Sequence, residues 1–454
     1  MFIVFLVVFI DLLGFGIVLP LLPVIAKSYV QPVFPDSDAT VGAIIGLLMS
    51  SFSLMQFLFA PMWGKLSDRI GRRPILLVGL LGSVAFYGLF GIATALPAAS
   101  ATLAMVLLFA ARIGAGVSGA TISTAQAVIA DCTPPEKRKH GMALIGAAFG
   151  IGFTFGPLIG FACLHLANYE PLIGFSASAM SLIALILGLI LLRETRQFGS
   201  EPVLRRQLFD IAAIHKTLLD SAVGPVILTF FIASLGFGSF EVTLALFLKD
   251  NFGFGQDESF LIFAYIGFVL MLTQGLLYRR LASRVSEVTF MAMGIFCMAV
   301  GVALLGWITY SVSQRYQHEF LPAMAASAVG QVASTEQGPL LAATQLVAPR
   351  VTGTGNLAFL FIALTAAVMG FAFLTPSAQA LISRRTAADR QGEILGVNQA
   401  ASAMARILGP ILGVTLYMST PTHLPPYIAG AILLLLMLPM LPRIKKSEQA
   451  ADSR

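Results

Sequence analysis

The chain has 454 residues and a formal net charge of +6. Of its residues 57% are hydrophobic and 11% charged, with a mean hydropathy of +0.88, where soluble domains carry about 45–50% apolar and about 25% charged residues. This excludes a soluble protein and large extramembrane domains; at roughly 20 residues per span it implies an all-α polytopic membrane protein of about twelve transmembrane helices.

In chain order, apolar runs of spanning length cover Phe2–Ala26, Val41–Trp63, Pro74–Ala95, Leu103–Ala130, Gly141–Ala162 and Pro171–Leu192. Six more cover Val223–Leu248, Phe260–Leu277, Val288–Ile308, Asn356–Leu381, Ile394–Met418 and Tyr427–Leu441. The first run is a poor signal peptide, because it lacks a basic leader, is too long and contains Asp11. Twelve spans put both termini on one side. If that side is cytoplasmic, 22 of the 28 Lys and Arg residues fall in inner loops and the tail, while only Lys27, Lys249, Arg315 and Arg350 fall outside. The positive-inside rule then orients the chain in a plasma membrane or bacterial inner membrane. The basic residues therefore set topology, and no nucleic-acid partner follows. Cys132, Cys163, Cys297 and five scattered histidines make neither a disulfide framework nor a metal spacing, so no metal or cofactor is expected. No nucleotide-cradling G-x-x-x-x-G-K-[ST] loop is present, and an enzyme is not expected.

The spans divide into two six-helix halves, 1–192 and 223–442, with a cytoplasmic linker at 193–222 and a cytoplasmic tail at 443–454. In the linker, Leu204, Leu208, Ile211, Ile214 and Leu218 recur at helical spacing, as on an amphipathic surface segment; an ordinary loop is the alternative. The halves repeat. Gly156-Pro157-Leu158-Ile159-Gly160 returns as Gly409-Pro410-Ile411-Leu412-Gly413, and Ala125-Gln126-Ala127 as Ala378-Gln379-Ala380, both displaced by 253 positions. Leu66-Ser67-Asp68-Arg69 aligns with Leu281-Ala282-Ser283-Arg284 at an offset of 215. The difference, 38 residues, predicts an outer-loop insertion over about Tyr310–Gly355.

Four ionisable residues fall inside spans: Asp11, Arg112, Glu241 and Arg406. A charge at the bilayer centre costs about 2.5–3.5 kcal/mol even on insertion scales, so each is a candidate for proton coupling. At 1.5 Å per residue, Asp11 and Arg112 both lie roughly 14 Å into their spans, near the midplane, where they can pair and exchange a proton; a static ion pair that fixes packing is the alternative. Glu241 lies roughly 27 Å and Arg406 roughly 18 Å from the inner ends of theirs, so this second pair needs helix tilt to meet. Gln126 and Gln379, at matching depths, are candidates for a substrate cavity or for helix packing. Two acids against two bases leave that cavity formally balanced, open to cationic, zwitterionic and neutral compounds.

The stretch Gly64-Lys65-Leu66-Ser67-Asp68-Arg69-Ile70-Gly71-Arg72-Arg73 resembles the cytoplasmic signature of the major facilitator superfamily. Arg112-Ile113-Gly114-Ala115-Gly116 resembles that family's fourth-span motif, with Ala115 where glutamine is usual, and Asp131–Arg138 resembles the loop after it. Gly152, Gly156, Pro157 and Gly160 resemble the fifth-span motif associated with antiporters, with Phe161 where a final glycine is common; simple tight packing is the alternative. Asp11 through Pro23 is similar to the first span of drug/proton antiporters, tetracycline/proton exporters in particular. At the intramembrane positions where those exporters carry two aspartates and a histidine, this chain has Phe86, Cys297 and Leu270. The resemblance implies a monomeric secondary transporter, surrounded by membrane lipids, that exports a small organic compound or drug against protons by alternating access. An uptake symporter and a non-transporting receptor of the same fold are the alternatives. In that family Gly64, Asp68, Arg69, Gly71, Arg72 and Arg73 would form a conformational latch, with Asp68 on the positive dipole end of the eleventh span.

Overall fold

A computed structural model describes residues 2–132, 138–195, 217–220, 223–315, 354–386 and 391–442, together with the single positions 215 and 444. The side chains of Asp11 and Gln126 lie outside the described residues, as do most of the linker and positions 316–353 of the expected insertion. The described residues form helices joined by short turns, with no strand among them. The first six helices are α1 (Phe2–Val18), α2 (Leu22–Val30), α3 (Asp38–Ile70), α4 (Arg72–Thr94), α5 (Ala101–Gly119) and α6 (Ile122–Asp131). They continue as α7 (Arg138–Ala167), α8 (Pro171–Leu191), α9 (Gly224–Phe252), α10 (Gln256–Leu272) and α11 (Glu287–Arg315). The last three are α12 (Thr354–Arg384), α13 (Gln391–Met418) and α14 (Pro425–Leu435).

Among the described residues ten helices are long and apolar enough to cross a membrane, or eleven if the bent pair α1 and α2 counts as one crossing. That pair turns by 46° between Val18 and Leu22, because Pro20 cannot donate to the helix ladder and Pro23 starts the next helix. The single straight span read over Phe2–Ala26 is thus two segments. The fourth run is likewise interrupted at Ala120 and Thr121 between α5 and α6. The helix α11 runs on to Arg315, past the Ile308 expected as the end of its apolar run. Local chemistry sets the other ends. Ser37 caps α3, its Oγ accepting from the Thr40 amide at 3.3 Å. Proline opens α8, α9 and α14. Gly253 closes α9 in the left-handed conformation at φ 65°.

Helices pair along their small residues, as expected where lipid tails are as apolar as leucine and close backbone approach supplies the attraction. The helix α1 packs on α7 and α8, α4 on α5 and α8, α9 on α13, and α11 on α12 and α14. Two antiparallel pairs join the first half of the chain to the second, α3 with α13 and α7 with α10. Below, the end carrying Gly64–Arg73 is the motif end and the opposite one the far end.

Candidate functional site

At the motif end, the signature straddles the α3–α4 junction. Asp68 pairs with Arg72 at 2.5 Å, and the Arg72 side chain also donates to Ser67 Oγ at 2.7 Å and to Asp131 at 3.3 Å. Asp131 ends α6, so the motif after the fourth span meets the first. Sequence reasoning missed the other partner, Glu194, which follows α8. Its carboxylate accepts from the backbone amides of Arg72 at 2.9 Å and Arg73 at 3.0 Å, closing orphan donors at the start of α4. Gly71 is required here twice over: its φ is 108°, and a Cβ would collide with the Glu194 carboxylate. Arg73 donates to the Leu189 carbonyl at 2.8 Å, while Arg69 is exposed. Among the described residues Asp68 pairs with Arg72 and reaches no part of α13; its side chain is 52% exposed.

The first-span and fifth-span motifs touch each other. A Cβ on Gly16 would lie 2.8 Å from the Gly152 carbonyl oxygen, and one on Gly156 2.8 Å from the Gly16 backbone, so α1 and α7 cross backbone to backbone. Gly160 faces the Phe260 ring of α10. The second half uses the corresponding glycines in the same manner: Gly409 and Gly413 pack on Leu235, Gly238 and Ser239 of α9.

Arg112 is 3% exposed. Its guanidinium lies over Phe52, 4.7 Å from the ring centroid, with Phe15 at 5.9 Å, a cation–π arrangement that substitutes for part of its lost hydration. One Nη2 donates weakly to the Met49 carbonyl at 3.5 Å; Nε and Nη1 have no hydrogen-bond partner among the described residues. Tyr87, buried in α4 against Gly14, contributes electrostatically to this arginine. Phe15, Phe52 and Tyr87 escaped sequence reasoning because lone aromatics in apolar runs carry no local signal.

The interior faces of α9 and α13 carry Glu241 and Arg406. On α13, Leu395, Gln399, Ser402 and Arg406 recur on one side, about a quarter turn round the helix from Leu412 and Leu416, which line a crevice with α9 and α14. Arg406 is exposed on that side although protein surrounds it, and it interacts electrostatically with Glu241. No ion pair closes between them. The contacts of Gly409 and Gly413 with α9 put Arg406 level with about residue 234, so Glu241 lies about seven residues, roughly 10 Å, nearer the far end. Gln379 is exposed on α12, turned away from Gly370 and Leu374, which pack on α11.

Among the described residues, the polar ties between the first and second halves of the chain lie at the far end or just below it. Lys27 of α2 approaches Asp250 of α9 at 4.0 Å, and Asp250 also accepts from Tyr417 at 3.0 Å and lies 3.9 Å from His423. His165 of α7 meets Asp257 of α10 at 3.5 Å, and Gln256 donates to Glu170. Ser50 donates to the Ile407 carbonyl at 2.5 Å, while Gly42 and Gly46 press on Val414, Met418, Pro410 and Ile411.

Spans built this way, a cytoplasmic-type signature clamped between helices and paired crossings of α3 with α13 and α7 with α10 accord with one family, and the model of the Major Facilitator Superfamily matches residues 4–360 and 340–453. The chain belongs to the Major Facilitator Superfamily. As a superfamily member it is a multi-pass membrane transporter rather than an enzyme. Among its relatives, the class E tetracycline resistance protein of Escherichia coli is 32% identical over 308 residues, covering 67% of this chain and 71% of the relative. The class C protein of Escherichia coli is 28% identical over 437 residues, covering 95% and 94%. The crystal structure of the human organic anion transporter MFSD10 superposes with a TM-score of 0.61 at 23% identity, covering 97% of this chain and 98% of that one, a likeness of fold.

Proposed function

We propose that the chain is a secondary active exporter that moves a small organic compound or drug outward in exchange for protons, by alternating access between two six-helix halves. The observation that carries the reading is the placement of the ties between halves: among the described residues α3–α13 meet through Gly42, Gly46 and Ser50 and α7–α10 through Gly267, Gly160 and Asp257, from mid-span to the far end, while Arg406 and Gln399 of α13 are exposed below the Ser50 contact. A transporter closed at one face while its interior polar groups remain reachable from the other is in one state of such a cycle. In this reading the motif end is cytoplasmic, and the chain crosses twelve times: ten straight spans, the bent α1–α2 span and a last one beginning at α14. Residues 1–192 and 223–442 form the halves, 193–222 and 443–454 lie inside, and the expected insertion lies outside. The protein works as a monomer among membrane lipids. Asp11 with Arg112, and Glu241 with Arg406, are the proton-coupling pairs; Gln126 and Gln379 line the substrate cavity. Asp68 and its loop latch the opposite state.

Proteoliposomes containing the purified chain test the function. A pH gradient, acid on the far-end side, is expected to drive substrate toward that side, and Asp11→Asn to abolish the coupling. Equal movement with and without the gradient refutes the exporter reading. For topology, cysteines replacing Ser327 and Ser334, in a background lacking Cys132, Cys163 and Cys297, are expected to react with an impermeant thiol reagent in intact cells, and one replacing Ser383 to be protected; the reverse pattern means an additional crossing.

A further inference from the structure

The placement of Arg406 says more about what is carried than about how protons couple. Turned to the interior and exposed, it sits one residue before Ile407, whose carbonyl closes the α3–α13 contact with Ser50. It is therefore, after Glu241, the next interior charge beneath the closed end among the described residues, and the first basic one. An arginine side chain keeps its charge in a protein, and its planar fork of five N–H donors matches two-oxygen anions. Glu241 lies roughly 10 Å further toward the closed end and makes no ion pair with it, so Coulomb attraction between them is present but, among the described residues, no carboxylate satisfies the fork. Level with Arg406 on the interior side of α9, the Ser234 hydroxyl is 5% exposed and has no hydrogen-bond partner among the described residues. A buried unpartnered hydroxyl costs about 1–3 kcal/mol, which a ligand oxygen would recover. Gln399, two turns below Arg406, and Gln379 of α12, about 12 Å below the Phe237–Phe371 stack, extend a ladder of neutral donors and acceptors toward the motif end. On the other half of the chain Arg112 adds a second guanidinium with two N–H groups unpartnered among the described residues, held against Phe52 and Phe15.

We infer that Arg406, assisted by Ser234, is the anchor for an acidic group of the transported compound, and that the substrate is an organic anion with a flat apolar body rather than a cation. This rests on the transporter reading above and gives Arg406, within its coupling pair with Glu241, the further role of substrate anchor. An incoming carboxylate or sulfonate would accept two N–H bonds from the fork while its ring lies against aromatic faces. A cationic compound would meet a guanidinium whose fork no described carboxylate bonds directly.

Three probes of one shape separate the possibilities: naphthalene-2-sulfonate, 2-naphthamide and 2-naphthyltrimethylammonium, with binding measured by calorimetry on the purified full-length chain and transport in proteoliposomes. The sulfonate is expected to bind at least about tenfold tighter than the other two, the ratio one charge-assisted fork contributes. Arg406→Gln is expected to abolish that preference while changing 2-naphthamide affinity less than about twofold, and Arg406→Lys to retain part of it. Equal binding of all three, preference for the cation, binding of none, or equal weakening of all three in Arg406→Gln overturns the assignment. The transport arm separates this failure from that of the exporter reading. Selective, Arg406-dependent sulfonate binding with no pH-driven movement sinks the exporter and leaves the anion site. Movement of the cation driven by pH and indifferent to Arg406→Gln does the reverse.

Discussion

Gly46 of α3 offers a direct measure of how the far end closes. A Cβ there would lie 2.7 Å from Ile411 Cα, 3.0 Å from the Pro410 carbonyl oxygen and 3.2 Å from that of Ile411. All three are backbone atoms, so no rotamer change relieves the clash, and Gly46→Ala forces α3 and α13 apart by roughly 1 Å to restore contacts of about 3.5–4.0 Å. Overpacking of this kind costs about 1–3 kcal/mol. The penalty applies only in the state where these helices touch. It therefore displaces the equilibrium toward the open far end by about 5- to 150-fold. A cysteine replacing Ser50, which is 3% exposed beneath this crossing, reports the change through its labelling rate with an impermeant maleimide in cells, with the native Cys132, Cys163 and Cys297 replaced by serine. The rate is expected to rise within that range when Gly46→Ala is added. Gly236→Ala, where nothing lies within 4 Å of the new Cβ, is the control and is expected to leave it unchanged. An unaltered rate in Gly46→Ala, or an equal rise in the control, would refute the closed-state account of the α3–α13 contact.

The ties around Asp250 are partly exposed and correspondingly weak, so Lys27→Ala is expected to raise Ser50-site labelling by only about two- to fivefold, an effect that fades in about 1 M salt. Loss of labelling altogether would mean that Lys27 holds the far end open instead. Asp11→Asn is expected to leave a folded, inserted protein that binds substrate but performs no proton-driven transport; full coupled activity would move the coupling role to Glu241. Glu194→Gln and Asp68→Asn are expected to lower turnover with little change in binding affinity, because both act on the α3–α4 junction far from the interior charges. Calorimetry beside a transport assay checks this, a large loss of affinity at normal turnover being the contrary result.

The pattern of apolar residues determined the all-helical membrane class, because each span must satisfy its own backbone hydrogen bonds in lipid and so needs a long, locally legible apolar run. The same locality made the signature Gly64–Arg73 and the repeated Gly-Pro stretches readable, since their spacing reflects turns and close approach within one helix. What the chain order could not supply was register between helices. Depth counted along separate spans left Glu241 and Arg406 as possible partners, yet the glycine contacts of α9 and α13 hold them about two turns apart. Likewise no local pattern linked Gly71 to Glu194, 123 positions away, or set Phe52 beneath Arg112. The bend after Val18 was written in Pro20 and Pro23, but run length alone concealed it. Packing of small residues against backbone decides which side chains share a level and which face the interior. That interdigitation is a property of helix pairs distant in sequence, so the candidate chemistry was visible residue by residue while its partnerships belonged to the tertiary structure.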